Sequence, residues 1–142
     1  MTLLSAVVAF LVLLVVGLTW FFLYYFNNQT LDNPDGVARV VGNCGDTMEI
    51  GLQIRNGQVV NCHCWTNGCS FSKNCVEAAA ALARGKSLAD LRRVNMVTII
   101  DRVGQLPETH LHCAQLAEIT LQRSLENYLE KGRQAPDNTT KS

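Results

Sequence analysis

From Leu3 to Phe26 no side chain is charged and most are apolar, whereas from Asn27 onward apolar and polar residues interleave. The first pattern predicts one uninterrupted helix. At 1.5 Å per residue, about 24 residues reach roughly 36 Å, enough to cross a bilayer core. Trp20, Phe21, Phe22, Tyr24, Tyr25 and Phe26 crowd its C-terminal end, where an interfacial aromatic belt belongs. A cleaved signal peptide would instead show a basic start, a shorter apolar run and small residues at the cleavage site. No Lys or Arg precedes Ala38 and the stretch ends on bulky residues, so residues 1–27 are expected to be an uncleaved anchor.

Residues 28–36 are polar, with Pro34 and Asp35-Gly36 as turn formers, and read as a linker. Ile50, Leu52 and Ile54 then alternate with Glu49, Gly51, Gln53 and Arg55, the period of a half-buried strand. Asn56-Gly57 is a strong hairpin signal, and the returning strand runs from Gln58 to about Thr66. Val37 to Val41 supplies a third strand. Helical spacing follows. Ser72 to about Arg84 contains the alanine run Ala78–Ala81 and is ended by Gly85. Ser87 with Asp90 resembles a capping box that opens a short helix to about Val94. Met96, Ile99, Ile100 and Val103 form an apolar stripe ended by Gly104 and Pro107. A last helix from about Leu111 to Lys131 places Ala114, Ala117, Leu121, Leu125 and Tyr128 on one face. Strands first and helices after predict an α+β domain over residues 37–131, a small three-stranded antiparallel sheet packed by helices and preceded by one transmembrane helix. Residues 132–142 read as a disordered polar tail.

Composition narrows the function classes. Of 142 residues, 12 are Lys or Arg and 12 are Asp or Glu, for a formal net charge of zero. No basic run stands out, so nucleic acid is not an expected partner. Asn28-Gln29-Thr30 and Asn138-Thr139-Thr140 are formal glycosylation sequons, which are meaningless in a cytoplasmic segment. No nucleophile–base pair or cofactor loop is visible, so the chain is not expected to be an enzyme.

The six cysteines carry the chemistry. In an exported domain they would read as disulfides, and in a cytoplasmic one as metal or redox ligands. Cys44 precedes Gly45-Asp46 before the first clear strand, Cys69 sits where strand gives way to helix, and Cys113 opens the last helix. Ends of elements are where distant residues converge, and helix N-termini stabilise thiolates. Cys62 and Cys64, two apart on a strand, share a face. With Val60 they are expected to be buried core residues, leaving His63 on the solvent side. Cys75 fits either a core residue or an auxiliary thiol near the site.

The order Cys44-Gly45-Asp46, then Gly68-Cys69, then Leu111-His112-Cys113 with Leu116-Ala117-Glu118 behind it resembles the NifU/IscU scaffolds of iron–sulfur cluster assembly. The likeness runs from about Val41 to Leu129 and includes Gly85-Lys86-Ser87-Leu88 and Leu106-Pro107. It implies a three-stranded sheet packed by helices, with Cys44, Cys69 and Cys113 holding a nascent [2Fe–2S] cluster. Asp46 would keep that cluster labile, and Asp46 or His112 would supply the fourth ligand. Zinc fits the same donors. Cys75 is similar to a second cysteine that one branch of the family carries six residues after the middle ligand. Two segments depart from the family pattern. Leu106-Pro107-Glu108-Thr109-His110 stands where soluble members carry Leu-Pro-Pro-Val-Lys, the sequence read by an Hsp70-type chaperone. Ser70-Phe71-Ser72-Lys73-Asn74 is bulkier and more polar than the small residues usual there.

Three readings follow. The first is a membrane-tethered scaffold or carrier that takes a [2Fe–2S] cluster, from a donor such as a cysteine desulfurase, and delivers it to a membrane client. The intact Asp46 favours it. The second is a permanent iron–sulfur or structural subunit of a membrane-bound redox complex, favoured by the anchor and the altered chaperone segment. The third is a structural or zinc-holding subunit that kept the fold and lost the chemistry, against which all three cysteines stand. Free thiolates and labile clusters need a reducing space, and Arg39 follows the apolar helix with no cation before it. Both place the domain on the cytoplasmic side of an inner membrane, with residues 3–26 in the bilayer.

Overall fold

The computed structural model describes residues 1–27 and 33–134. They fall into two units, one ending at Thr30 and one beginning at Leu31. Residues 28–32 of the expected linker, both sequons and residues 135–142 of the expected tail lie outside the described residues. The first unit is helix α1, Thr2–Asn27. It is long and apolar enough to cross a membrane by length and composition, and its stretch Thr2–Tyr25 buries nothing within the protein.

The second unit is a three-stranded antiparallel sheet in the order β1-β2-β3 with helices packed on it. Strands β1 (Gly36–Val41), β2 (Thr47–Arg55) and β3 (Gln58–Thr66) are followed by α2 (Ser70–Ala83), α3 (Leu88–Leu91), α4 (Met96–Val103), a 3₁₀ turn (Glu108–His110) and α5 (Leu111–Gln134). The middle strand follows the alternation read from the sequence, with Met48, Ile50 and Leu52 fully buried and Ile54 nearly so. Asn56 and Gly57 both take positive φ, 53° and 74°, as a two-residue turn matched to strand twist requires.

The return strand corrects one expectation. Pairing steps from Gln53↔Asn61 to Ile54↔Val59, so Val60 is the extra residue of a β-bulge. The bulge inverts facing on either side of it. Val59 goes into the core at 1% exposure, while Val60 stays outside at 53% rather than sharing the face of Cys62 and Cys64. Cys62 is buried as expected, but Cys64, nearer the end of the strand, is only half-buried. Burial, reinforced by Cys64, pushes the Cys62 thiol up to about 12, so it stays neutral at physiological pH.

Helices α2 and α5 cover the sheet. Ala78, Ala79, Ala80 and Ala83 of α2 are buried, their small side chains allowing close approach to β3 and α5. α5 buries Ala114, Ala117, Leu121 and Leu125, with Tyr128 half-buried, and runs three residues past the expected end. It also satisfies its neighbours' open ends. Glu118 Oε2 accepts from Met96 N–H at 2.8 Å, and Gln122 Nε2 donates to Leu91 and Val94 carbonyls at 3.1 and 3.0 Å. Ser87 caps α3 through Asp90 N–H as read from the sequence. A complete box of Asn95 and Thr98 opens α4, unread because threonine stands where Glu or Gln is usual.

The bulge yields a pair of expected outcomes. Val59→Ala should cost about 1.5–3 kcal/mol through lost burial. Val60→Thr should stay within about 0.5 kcal/mol. Chemical denaturation of the full chain measures both, and the reverse ranking would place Val60 in the core.

Candidate metal centre

Three chain segments meet beyond one end of the sheet. The first is the β1–β2 turn. Gly42 N–H donates to Asp46 carbonyl at 2.8 Å and Gly45 N–H to Gly42 carbonyl at 3.0 Å. Gly45 takes φ +86°, a conformation that excludes most side chains. This leaves Cys44 exposed at the tip of the turn. The second segment joins β3 to α2 and is tied to the first. Asn67 Oδ1 accepts from Thr47 N–H at 2.7 Å, and Thr66 Oγ1 donates to Thr47 carbonyl at 2.8 Å. The third is the start of α5, carrying Cys113.

Gly68 explains how closely the first two segments meet. A Cβ there would fall 2.5 Å from Asp46 Oδ2 and 2.7 Å from Ser72 Cβ, so only glycine admits the carboxylate. The Asp46 side chain therefore points across the site. Ser72 Oγ donates to Asp46 Oδ2 at 2.5 Å. The same hydroxyl lies 3.3 Å from Cys113 Sγ and 3.7 Å from Cys69 Sγ, and Ser72 is fully buried. One buried hydroxyl thus joins the carboxylate to two sulfurs.

The two thiols are poised differently. Cys69 is exposed at the N-cap position of α2, without a side-chain cap hydrogen bond, and is held below the ordinary thiol value, first by the nearby Ser72 backbone N–H, then by the Ser72 hydroxyl, with Phe71 N–H helping and burial and Asp46 opposing. Cys113 is 1% exposed, and burial pushes it up. The Ser72 hydroxyl opposes that shift, while Cys69, Asp46 and Cys44 add to it. The site therefore gathers donors whose ionised forms disfavour one another, a cost that a bound cation would offset. Soft thiolates with a carboxylate and imidazole nearby suit iron–sulfur chemistry or zinc.

The structure brings together Cys69, Cys113 and Asp46 of the residues singled out in the sequence. Cys44 stands at the rim, close enough to act electrostatically on Cys113. His112 is exposed and shares an open cleft with Cys44, Gln115 and Arg123. Cys75 is fully buried within the electrostatic range of Cys113 and Cys69, and burial pushes it up to about 11. All six cysteines are free thiols. Two site residues escaped the sequence reading. Ser72 looked like one polar residue in a helical run. His110 looked like part of an altered loop, yet a ring nitrogen of His110 and the sulfurs of Cys69 and Cys113 all lie within 4.8 Å of one another. Their one signal in the sequence was that both lie in the segments departing from the family pattern.

The role of Ser72 predicts a reactivity pattern. At neutral pH an alkylating reagent should label Cys69 well ahead of buried, neutral Cys62 and Cys75. Ser72→Ala should slow Cys69 labelling yet leave it ahead of Cys62 and Cys75, because the backbone N–H at position 72 remains. Peptide mass mapping reads both rates. An unchanged Cys69 rate would contradict the hydroxyl's role.

Comparison with known proteins agrees with this architecture. A likeness to the crystal structure of a nitrogen-fixing NifU-like protein (N-terminal) from Brucella abortus has a TM-score of 0.51 at 21% identity, over 74% of this chain and 84% of that one, and it shows the shared fold. The chain is 28% identical over 107 residues to iron-sulfur cluster assembly scaffold protein IscU 1 of Archaeoglobus fulgidus, covering 74% of this chain and 69% of that protein. It is 33% identical over 90 residues to the mitochondrial iron sulfur cluster assembly protein 1 of Eremothecium gossypii, covering 62% and 58%. The family model of the NifU-like N terminal domain matches residues 26–135, and this chain belongs to that family.

Proposed function

We propose that the chain is a membrane-tethered scaffold that receives an iron–sulfur cluster, of the [2Fe–2S] type, on Cys44, Cys69 and Cys113 and passes it to an acceptor. The observation that carries this reading is the Asp46 carboxylate, which turns across the thiols to the Ser72 hydroxyl instead of capping backbone N–H groups in its own turn. A carboxylate there competes with thiolate for iron or opens a path for an incoming ligand, which a transferable cluster needs and a retained one does not. Exposed Cys44 leaves the approach open to donor and acceptor. The naming of relatives as iron–sulfur cluster assembly scaffold proteins supports the same role. A cysteine desulfurase is a fitting sulfur donor.

The apolar helix Thr2–Tyr25 serves in this reading as a bilayer anchor that concentrates the carrier beside a membrane client. The domain from residue 37 onward faces the cytoplasm, where thiols stay reduced. One observation favours the other reading, a permanent subunit of a membrane redox complex. Phe71 and His110 stack at 4.2 Å, closing one side of the site as a retained cluster would require.

The two readings differ in the fate of the cluster. The full chain, reconstituted anaerobically with iron and sulfide, should transfer its cluster to an apo acceptor. Asp46→Ala should slow that transfer by about tenfold or more, equivalent to about 1.4 kcal/mol on the barrier, with the apo fold intact by circular dichroism. Equal rates for the two proteins, or a cluster that neither releases, would replace the scaffold with the permanent subunit.

A further inference from the structure

We infer that His110 is the imidazole ligand of this centre, held in place by Phe71 beside the sulfurs of Cys69 and Cys113. The inference deepens the proposed function and rests on the site being a metal centre.

The first observation is proximity. One ring nitrogen of His110 and the sulfurs of Cys69 and Cys113 lie within 4.8 Å of one another. Donors around a tetrahedral ion with bonds of about 2.0–2.3 Å sit roughly 3.5–3.8 Å apart, so side-chain adjustments of about 1 Å bring three of the four donors into place. The second is an unmet requirement. His110 Nδ1 is buried and is the buried side-chain N or O without a hydrogen-bond partner among the described residues. A buried polar nitrogen left unpaired costs on the order of 1–3 kcal/mol, and a cation bound through Nδ1 would relieve that cost. The third is preorganisation. The 3₁₀ turn fixes the backbone through His110 N–H to Pro107 carbonyl at 2.8 Å. The ring stacks on Phe71 with centroids 4.2 Å apart and planes at 27°. Phe71 belongs to the first turn of α2, between the Cys69 cap and Ser72, so one turn positions the sulfur, the hydroxyl and the imidazole's support.

His112 has none of these features. It is exposed, it lines the open cleft with Cys44, and its ring centroid is 5.9 Å from that of His110. Half-buried His110 lies beside the two sulfurs with its Nδ1 out of solvent, while exposed His112 lines the cleft.

The chain contains three histidines, His63, His112 and His110, which permits a test that leaves the inferred ligand untouched. Zinc alone is the probe, bound to the full chain and examined by X-ray absorption at the metal edge. Imidazole outer-shell scattering together with sulfur scattering is expected in the wild type and retained in H63A/H112A, where His110 is the remaining imidazole. H110A is expected to lose the imidazole signature and to bind zinc at least as weakly as the 10- to 100-fold typical of losing a supporting group, about that or more. Phe71→Leu should weaken zinc binding and keep the signature. Loss of the signature in H63A/H112A, or wild-type zinc bound by sulfur without imidazole, would overturn the assignment to His110 and leave the thiolate centre standing. Zinc bound without sulfur would overturn the metal-centre reading itself.

Discussion

The buried hydroxyl of Ser72 is the contact on which the site depends. It bonds the Asp46 carboxylate at 2.5 Å and lies against the sulfurs of Cys113 and Cys69, so it links the β1–β2 turn, the start of α2 and the start of α5. No one of those segments could hold the arrangement alone. The turn is held by Gly45 and by Asn67, and the approach of Asp46 is admitted by the missing side chain at Gly68. The sheet and the alanine face of α2 then keep the segments in register. The fold thus serves to bring acceptor-rich groups into contact that they would avoid in a free chain.

Electrostatics separates the cysteines into two groups. Cys62 and Cys75 are buried where desolvation keeps them protonated, and they behave as small apolar side chains. Cys69 is drawn toward the thiolate first by the Ser72 backbone N–H, while Cys113 is restrained mainly by its burial and by neighbouring anions. The charge repulsion that opposes the apo arrangement is the same term that a cationic iron centre converts to attraction. The stacked, half-buried His110 and Phe71 and the exposed Cys44 and His112 would give such a centre a firm side and an approachable side.

Much of this was legible in the sequence because it is local. The Asn56-Gly57 turn, the alternation of Ile50, Leu52 and Ile54 and the apolar stripe of α5 each depend on residues within a few positions. The cysteine motifs were legible through their resemblance to a family that the comparisons confirm. The bulge at Val60 was not, because register is decided between strands and a one-residue slip reverses every facing. Ser72 and His110 were missed for a related reason. Their partners lie 26 positions away at Asp46 and in the first turn of α2 at Phe71. Departures from the family pattern at Phe71 and His110 stood out separately in the sequence, and in the folded chain these two side chains touch.

In the proposed function Cys44, Cys69 and Cys113 act as one ligand set despite their different exposure. Differential alkylation of the anaerobically reconstituted full chain against the apo chain tests it most directly. Cluster loading should protect all three of these thiols together, leave half-buried Cys64 labelled at its apo rate, and reverse on chelation of the iron. Continued labelling of Cys44 at its apo rate while the cluster is bound, or protection that falls on Cys64 instead, would contradict the account.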